Sequence, residues 1–184
     1  ALAISNSTAA TIERSMLRDN EARAGAGQDA EGGAIRHAAQ TGSLTIVDSE
    51  LTGNEAVNTG AGAADWASGG AIRASGPLTI ERSLLVDNEA QAQAGTVEHG
   101  GGLYLLDAAT VVNSTFHDNA AHGPNGQGGA VYSTGATTAL RHVTFLGNAS
   151  VAGGDDIHAT GGSTAVGASI IPGNAAWGTN PCGG

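Results

Sequence analysis

The sequence is poor in the residues from which most catalytic sites, metal sites and compact cores are built. It contains one cysteine, no lysine and four prolines among 184 residues, and only 3% of its residues are aromatic. The single Cys182 excludes an internal disulfide, and no Cys/His cluster indicates a zinc site. No run of 18 apolar residues is present. We therefore expect no metal, no cofactor and no transmembrane helix.

Positive charge is also scarce, which limits the classes of partner. Seven arginines face 17 acidic residues, so the formal net charge is −10. Nucleic-acid binding needs a basic patch, and an anionic membrane surface would repel a chain of this charge. We expect no nucleic-acid partner and no membrane insertion of this segment.

Small residues take the place of large apolar side chains. The 35 alanines and 30 glycines make up 35% of the chain. A conventional globular core is hard to build from such a composition, and a thin, regular core is typical of repeat proteins. The chain begins at Ala1 without a recognisable signal peptide, which we interpret as a segment of a longer protein or a mature product.

An internal repeat is the strongest pattern in the sequence. A tetrad ending in asparagine occurs six times, with spacings of 34, 34, 31, 29 and 26 residues between the asparagines. The six tetrads are Leu17-Arg18-Asp19-Asn20, Leu51-Thr52-Gly53-Asn54, Leu85-Val86-Asp87-Asn88, Phe116-His117-Asp118-Asn119, Phe145-Leu146-Gly147-Asn148 and Ile171-Pro172-Gly173-Asn174. A second motif precedes the units as Gly32-Gly33-Ala34-Ile35, Gly69-Gly70-Ala71-Ile72, Gly100-Gly101-Gly102-Leu103 and Gly128-Gly129-Ala130-Val131.

Each unit has the pattern of one coil of a parallel β-helix. Short alternating segments such as Leu44-Thr45-Ile46 predict half-buried strands, and no unit has the 3.6-residue period of a helix. The residue before each asparagine is Asp or Gly, which predicts a left-handed bend. We predict one all-β domain over residues 1–184, a single-stranded parallel β-helix of about six coils, with an irregular tail at 175–184. Long variable loops between each Asn and the next Gly-Gly should leave the coils on one side.

Stacked coils place equivalent residues above one another at about 4.8 Å. The recurring asparagines should therefore form an inward ladder whose side-chain amides bond from coil to coil. The ladder members are Asn20, Asn54, Asn88, Asn119, Asn148 and Asn174.

The candidate binding residues lie in one outward column and one loop. The column reads Arg36, Arg73, Tyr104, Tyr132 and His158, and we expect its planar groups to be exposed and able to bind a sugar or an acidic polymer. Trp66, in the longest loop, is a candidate contact residue or a packing residue. The alternative is that the column is an ordinary surface of a β-sheet, where aromatic residues are common. A second outward column alternates in charge, which predicts cross-strand ion pairs, through Arg14, Asp48, Arg82, Asn113 and His142.

No residue is assigned a catalytic role. Asp155-Asp156 with His158 is similar to the paired aspartates of β-helical polygalacturonases, but the other motifs of those enzymes are absent. The run aligns with the Gly-Gly-Ala motif of the other units, which favours a turn at the start of a coil.

The Gly-Gly-Ala-Ile and Phe/Leu-x-x-Asn columns resemble the repeats of polymorphic outer-membrane autotransporter proteins. They are also similar to the β-helix regions of secreted bacterial proteins that carry a "choice-of-anchor" or CSLREA segment, where a Ser-Ile-Ile-x-Gly-Asn coil precedes a cysteine. Here Ser169-Ile170-Ile171-Pro172-Gly173-Asn174 precedes Cys182. The resemblance covers about residues 1–182 and implies a right-handed helix and an extracellular or outer-surface location.

The sequence favours a secreted or cell-surface structural or adhesive module that is not an enzyme. Its expected partner is a glycan or a cell-surface protein, or another copy that stacks on the open β-helix ends. The first ten residues carry no charged side chain that would protect that edge. Two alternatives are a polysaccharide-active lyase or hydrolase and a head-to-tail filament subunit. A groove with two convergent carboxylates or a carboxylate–Arg pair would favour the enzyme.

Overall fold

The computed structural model describes residues 1–5, 9–39, 41–60, 62, 65–93, 97–135, 137–172 and 175–177. Within these residues the chain is all-β and contains no helix. No segment of the described chain therefore forms a helix able to cross a membrane.

The strands follow one another in successive turns of a parallel β-solenoid. The first turn contains β1 (Leu2–Ile4), β2 (Ala9–Glu13), β3 (Met16–Arg18), β4 (Glu21–Ala24) and β5 (Ala30–Glu31). The second contains β6 (Ile35–His37), β7 (Ser43–Val47), β8 (Glu50–Thr52), β9 (Glu55–Asn58) and β10 (Trp66–Ser68). The third contains β11 (Ile72–Ala74), β12 (Leu78–Glu81), β13 (Leu84–Val86), β14 (Glu89–Ala92) and β15 (Val97–His99).

The later turns have fewer strands. The fourth contains β16 (Leu103–Leu105), β17 (Ala109–Val112), β18 (Thr115–His117) and β19 (Ala120–His122). The fifth contains β20 (Val131–Thr134), β21 (Thr137–Arg141), β22 (Thr144–Leu146) and β23 (Ala149–Ser150). The last strands are β24 (Ile157–Thr160), β25 (Ser163–Gly167) and β26 (Ala175–Trp177). The described strands thus complete somewhat fewer than the expected six turns. The segment 175–184, expected to be an irregular tail, begins with strand β26.

Equivalent strands stack into five parallel sheets. Sheet A is β1-β6-β11-β16-β20-β24-β26, sheet B is β2-β7-β12-β17-β21-β25, and sheet C is β3-β8-β13-β18-β22. Sheet D is β4-β9-β14-β19-β23, and sheet E is β5-β10-β15. Sheets A, B and C enclose the main core, where equal positions of the repeat lie directly above one another, as in Ile12↔Ile46↔Ile80 and Leu51↔Leu85↔Phe116.

Sheets D and E form a side wing that the sequence analysis treats as loops. Their strands occupy much of residues 21–31, 55–68 and 89–99. Strand β10 of sheet E lies against β9 and β14 of sheet D. The apolar cluster of the wing consists of the small side chains Ala24, Ala30 and Ala56. Alanine side chains permit a close approach of sheets D and E, but alanine has little strand preference. The sequence therefore does not predict the wing as two sheets.

The asparagine ladder is confirmed over its described part. Each Nδ2 donates to the Oδ1 of the next turn, at 2.9 Å from Asn20 to Asn54, 2.8 Å from Asn54 to Asn88, 2.8 Å from Asn88 to Asn119 and 3.0 Å from Asn119 to Asn148. The same Oδ1 atoms accept the backbone N–H of the preceding asparagine. Asn148 donates instead to Oδ1 of the buried Asp156 at 2.9 Å, and Asn174 lies outside the described residues.

Two columns of left-handed bends turn the chain between sheets. The expected bend before each asparagine has positive φ at Asp19, Gly53, Asp87, Asp118 and Gly147. A second column, between sheets B and C, was not expected to be left-handed because it contains residues that disfavour this region. Its members are Arg14, Asp48, Arg82, Asn113, His142 and Ala168, with φ between 46° and 53°.

Hydrogen bonds from turn to turn explain how these bends tolerate unsuitable residues. From Arg14 to His142, the amide of each bend residue donates to the next turn, as from Arg82 to the carbonyl of Val112 at 3.1 Å. The serine that follows the bend accepts the backbone N–H of the preceding turn, as Ser83 Oγ does from Ser49 at 3.1 Å. Because stacking fixes the bend on both sides, the side chain is free to vary.

Ala168→Gly should stabilise the protein by about 0.5–1 kcal/mol, because alanine at φ 48° is strained and glycine is not. The control is Ala165→Gly, which is also at an exposed site but in extended β25, and which should destabilise by about 0.5–1 kcal/mol. Urea denaturation measures both. Equal effects of the two substitutions would contradict the assignment of strain to the bend.

Asn88→Leu should destabilise the protein by at least about 2 kcal/mol. It removes the acceptor of Asn54 and the donor to Asn119, and each buried group left without a partner costs about 1–3 kcal/mol. Asn20→Leu, at the less buried end of the ladder, is the control and should cost less. An unchanged urea midpoint for Asn88→Leu would show that the ladder does not support the stack.

Candidate functional site

The predicted column of planar and charged side chains exists on the outer face of sheet A. The register pairs Arg36 with Arg73, Arg73 with Tyr104, Tyr104 with Tyr132 and Tyr132 with His158. The side chains therefore follow one another from turn to turn, as the repeat spacing predicts.

A second column on sheet E faces this one. It consists of the residue that directly precedes each Gly-Gly motif. Glu31, Ser68 and His99 are paired by register within sheet E, and Gln127 continues the column through an isolated bridge to His99. We call the contact between the two columns the seam. It divides into a charged half at Glu31 and an aromatic half at His99.

In the charged half, one carboxylate holds two arginines. Glu31 forms an ion pair with Arg36 on the neighbouring strand and a second one with Arg73, whose Nε lies 3.0 Å from Oε1. The side chains of Glu31 and Arg73 are each 17% exposed, whereas the Arg36 side chain is 46% exposed. Arg73 also donates to Ser75 Oγ at 3.1 Å, so Arg36 is the group of this half that is most accessible to a ligand.

In the aromatic half, His99 lies against both tyrosines. Its ring centroid is 5.5 Å from that of Tyr104 and 4.0 Å from that of Tyr132, and the two tyrosine rings are 5.5 Å apart. His158 stacks on Tyr132 at 5.2 Å with nearly parallel planes. The cluster thus joins sheet E to three successive strands of sheet A.

The expectation that Tyr104 and Tyr132 are exposed is wrong. They are only 5% and 7% exposed, because sheet E lies over the outer face of sheet A at this point. Sequence reasoning missed this cover, since it treated residues 89–99 as a loop. The two tyrosines join the wing to the main solenoid in the closed seam.

Burial determines the titration of the aromatic half. It lowers the pKa of His99 from 6.5 to about 4, with a smaller contribution from nearby His158 and opposition from a hydrogen bond to Gln127. Burial likewise lowers the pKa of His158 and raises that of Tyr104. Both histidines are therefore neutral at pH 7.

Trp66 lies at the solvent-exposed edge of the seam, which we call the mouth of the seam. Its ring is 6.1 Å from His99 in an edge-on contact, yet the residue is 40% exposed. Hydrogen bonds to its backbone fix the position of Trp66. Its N–H donates to Oδ1 of Asp29 at 3.2 Å, and its carbonyl oxygen accepts from Nδ2 of buried Asn58 at 3.0 Å. Trp66 thus packs against His99 and keeps part of its surface accessible.

Asp155 and Asp156 have structural roles. Asp155 Oδ1 accepts from the backbone N–H of Ser150 at 3.0 Å and from its hydroxyl at 3.2 Å. Asp156 is buried and accepts from Asn148. These contacts support the interpretation as a turn at the start of a coil.

The alternating column of charges forms one of its expected ion pairs. Arg82 Nε lies 2.7 Å from Asp48 Oδ1, and Nη2 lies 3.2 Å from Oδ2. Arg14 pairs with its sequence neighbour Glu13 instead. The column borders an open groove of about 690 Å³ between the outer edges of sheets B and C. Over the described ranges, no three metal-binding side chains converge.

Glu31 and His99 were missed as site residues. The pattern that could have identified them is their shared position before Gly-Gly, but the column contains four different residue types and no type recurs.

Comparison of the chain with protein-family models, with curated proteins and with solved structures gave no match.

Tyr104→Ala should destabilise the protein by about 2–4 kcal/mol, because it removes a buried ring that contacts His99 and Tyr132. Thermal or urea denaturation tests this, with Thr110→Ala on exposed sheet B as a control expected within about 0.5 kcal/mol. A near-neutral Tyr104→Ala would mean that the seam is open in solution.

Proposed function

We propose that the chain is a non-catalytic module of a secreted or cell-surface protein, which binds a glycan or a protein surface at the mouth of the seam. The observation that carries this proposal is that the seam has an accessible group in each half: the Trp66 ring, which contacts His99 in the aromatic half, and the Arg36 side chain, which pairs with Glu31 in the charged half. An aromatic ring next to fixed hydrogen-bonding groups is a common arrangement in binding sites.

The scaffold favours binding because it fixes the site in advance. Trp66 is part of β10, which is paired on both sides with β5 and β15. Arg36 is part of β6, paired with β1 and β11. A ligand would order few protein groups on binding, which reduces the entropic cost of association.

The charges around the mouth favour a neutral glycan over a polyanion. Arg36 and Arg73 are offset by Glu31 and by Asp29, which hydrogen-bonds the Trp66 backbone. The chain as a whole has a net charge of −10, which would repel a polyanion. The apolar C–H face of a sugar fits the Trp66 ring, and its hydroxyl groups fit the guanidinium and carboxylate groups.

The extracellular or outer-surface location rests on the resemblance of the repeats to autotransporter and CSLREA-type proteins. The parallel β-solenoid and its asparagine ladder agree with that resemblance at the level of the fold. Membership of either family is part of the proposal.

Trp66→Ala should lower glycan affinity about tenfold or more, since exposed aromatic anchors often dominate a binding interface. A glycan array followed by calorimetry on the best glycan measures the change. Leu146→Ala is the matched control, because Leu146 is an exposed apolar residue on sheet C, away from the seam. Equal affinity of wild type and Trp66→Ala would place the site elsewhere.

A polysaccharide-active enzyme is the second candidate, and the Asp48–Arg82 pair in the 690 Å³ groove favours it. However, Asp48 raises the pKa of Arg82, so this guanidinium holds its proton more strongly and is a poor base. Release of reducing ends from polysaccharides by wild type, and its loss in Arg82→Ala, would support the enzyme.

Head-to-tail self-association is a third candidate. At the first edge of sheets A, B and C, Leu2 is exposed and Ile4, Ile12 and Leu17 are only partly buried. A second copy stacked on this edge would cover them and pair the unpaired strand edges. Sedimentation at rising salt would detect such association.

A further inference from the structure

We propose that the seam is an acid-opened site, in which protonation of His99 and His158 separates sheet E from sheet A and uncovers Tyr104 and Tyr132 beside Trp66. The role of the uncovered rings in binding rests on the proposed function, whereas the opening itself does not.

The position of His99 makes it the central contact of the closed seam. It is the last residue of β15 on the wing, and its ring contacts Tyr104, Tyr132 and Trp66. The atom Nδ1 is fully buried and has no hydrogen-bond partner. A second proton would therefore place a charged N–H in a site that offers no acceptor to it.

His158 repeats this arrangement on the other side of Tyr132. Its ring stacks on Tyr132, and its Nδ1 is also buried without a partner. The two histidines are close enough to influence each other electrostatically, so two imidazolium ions would repel across the tyrosine. Both effects oppose the closed seam at acid pH.

The carboxylates near the seam do not offset these charges. Glu31 is occupied by Arg36 and Arg73 in the charged half, and Asp29 binds the Trp66 backbone. Glu98 precedes His99 on β15 and lies on the opposite face of the strand, next to Gly123 in the wing. The titratable or charged side chains that face the aromatic half from both sheets are Arg73, Tyr104, Tyr132 and His158 from sheet A and Glu31 from sheet E.

The direction of the pH dependence follows from the lowered pKa values. The closed seam binds protons more weakly than the open one, so its stability is fully present above the ordinary pKa of 6.5. It is lost as the pH falls from 6.5 towards about 4. Over this window the ratio of closed to open forms should fall on the order of 100-fold, because each pH unit between the two pKa values contributes tenfold.

The opening can remain local because the main stack does not depend on the wing. The principal apolar cluster is built from sheets A, B and C, and the buried alanines of the wing form a separate one. The described asparagine and serine ladders contain no residue of sheet E. Sheet E itself has only three strands of two or three residues. A unit of this kind opens at lower cost than the whole molecule.

Opening would extend the binding surface along the solenoid. Tyr104 and Tyr132 lie on adjacent strands with ring centroids 5.5 Å apart. Together with Trp66 they would present three aromatic rings in place of one.

Hydrogen exchange from pH 7.5 to 4, corrected for intrinsic rates, tests the opening without a ligand. In wild type we expect the amides of residues 66–68 and 97–99 to lose protection on the order of 100-fold, with a midpoint below pH 6.5. His99→Phe keeps a buried ring but cannot be protonated, and these amides should stay protected. His117→Phe, on exposed sheet C, is the matched control and should behave as wild type.

Three results would overturn the acid opening. They are equal loss of protection in His99→Phe and wild type, simultaneous loss in sheets B and C, and full protection of wild type at pH 4. Binding of the best glycan from the array, measured at pH 7.5 and 4.5, then separates the acid opening from the proposed glycan binding. Seam opening without glycan binding at either pH supports the acid opening and overturns the proposed function. Glycan binding without seam opening supports the proposed function and overturns the acid opening.

Discussion

Turn-to-turn hydrogen bonding with a fixed register is the interaction on which the whole structure depends. From Asn54 to Asn148, each ladder asparagine uses its Oδ1 to accept both the backbone and the side-chain N–H of the previous asparagine. This arrangement places like residues above like residues and satisfies polar groups that would otherwise be buried without partners. A core of single columns of apolar side chains suffices because the ladders fix the positions of the turns. The alanine and glycine content is compatible with order for this reason.

The same register assembles the seam. The seam joins a column on sheet A to the column of residues that directly precede each Gly-Gly motif. The two columns meet because the Gly-Gly turn brings sheet E back to sheet A. The second glycine of that motif lies against backbone of the next turn, so Gly33 and Gly70 have no room for a Cβ atom. The turn holds Glu31 near Arg36 and His99 near Tyr104. The result is a module in which the accessible Trp66 lies beside a buried aromatic cluster.

Much of the fold follows from residue spacing. The repeat predicts parallel strands, the inward asparagines, the left-handed bends at Asp19 and Asp87, and the column from Arg36 to His158, and all of these are confirmed. The wing was not predicted because its apolar cluster is made of alanines, which carry little strand preference. The left-handed φ of Arg82 and His142 was not predicted either, since neither residue type favours it.

The sequence by itself determined the order of residues within each column, because stacking converts a repeat spacing directly into a neighbour relation. It could not determine which columns face each other, since that depends on how sheets D and E fold back on the solenoid. Only the tertiary structure buried Tyr104 and Tyr132, left Trp66 accessible and placed His99 where its Nδ1 has no partner. The physical reason is that exposure and pKa are set by contacts between columns, and these contacts join segments that no periodic pattern connects.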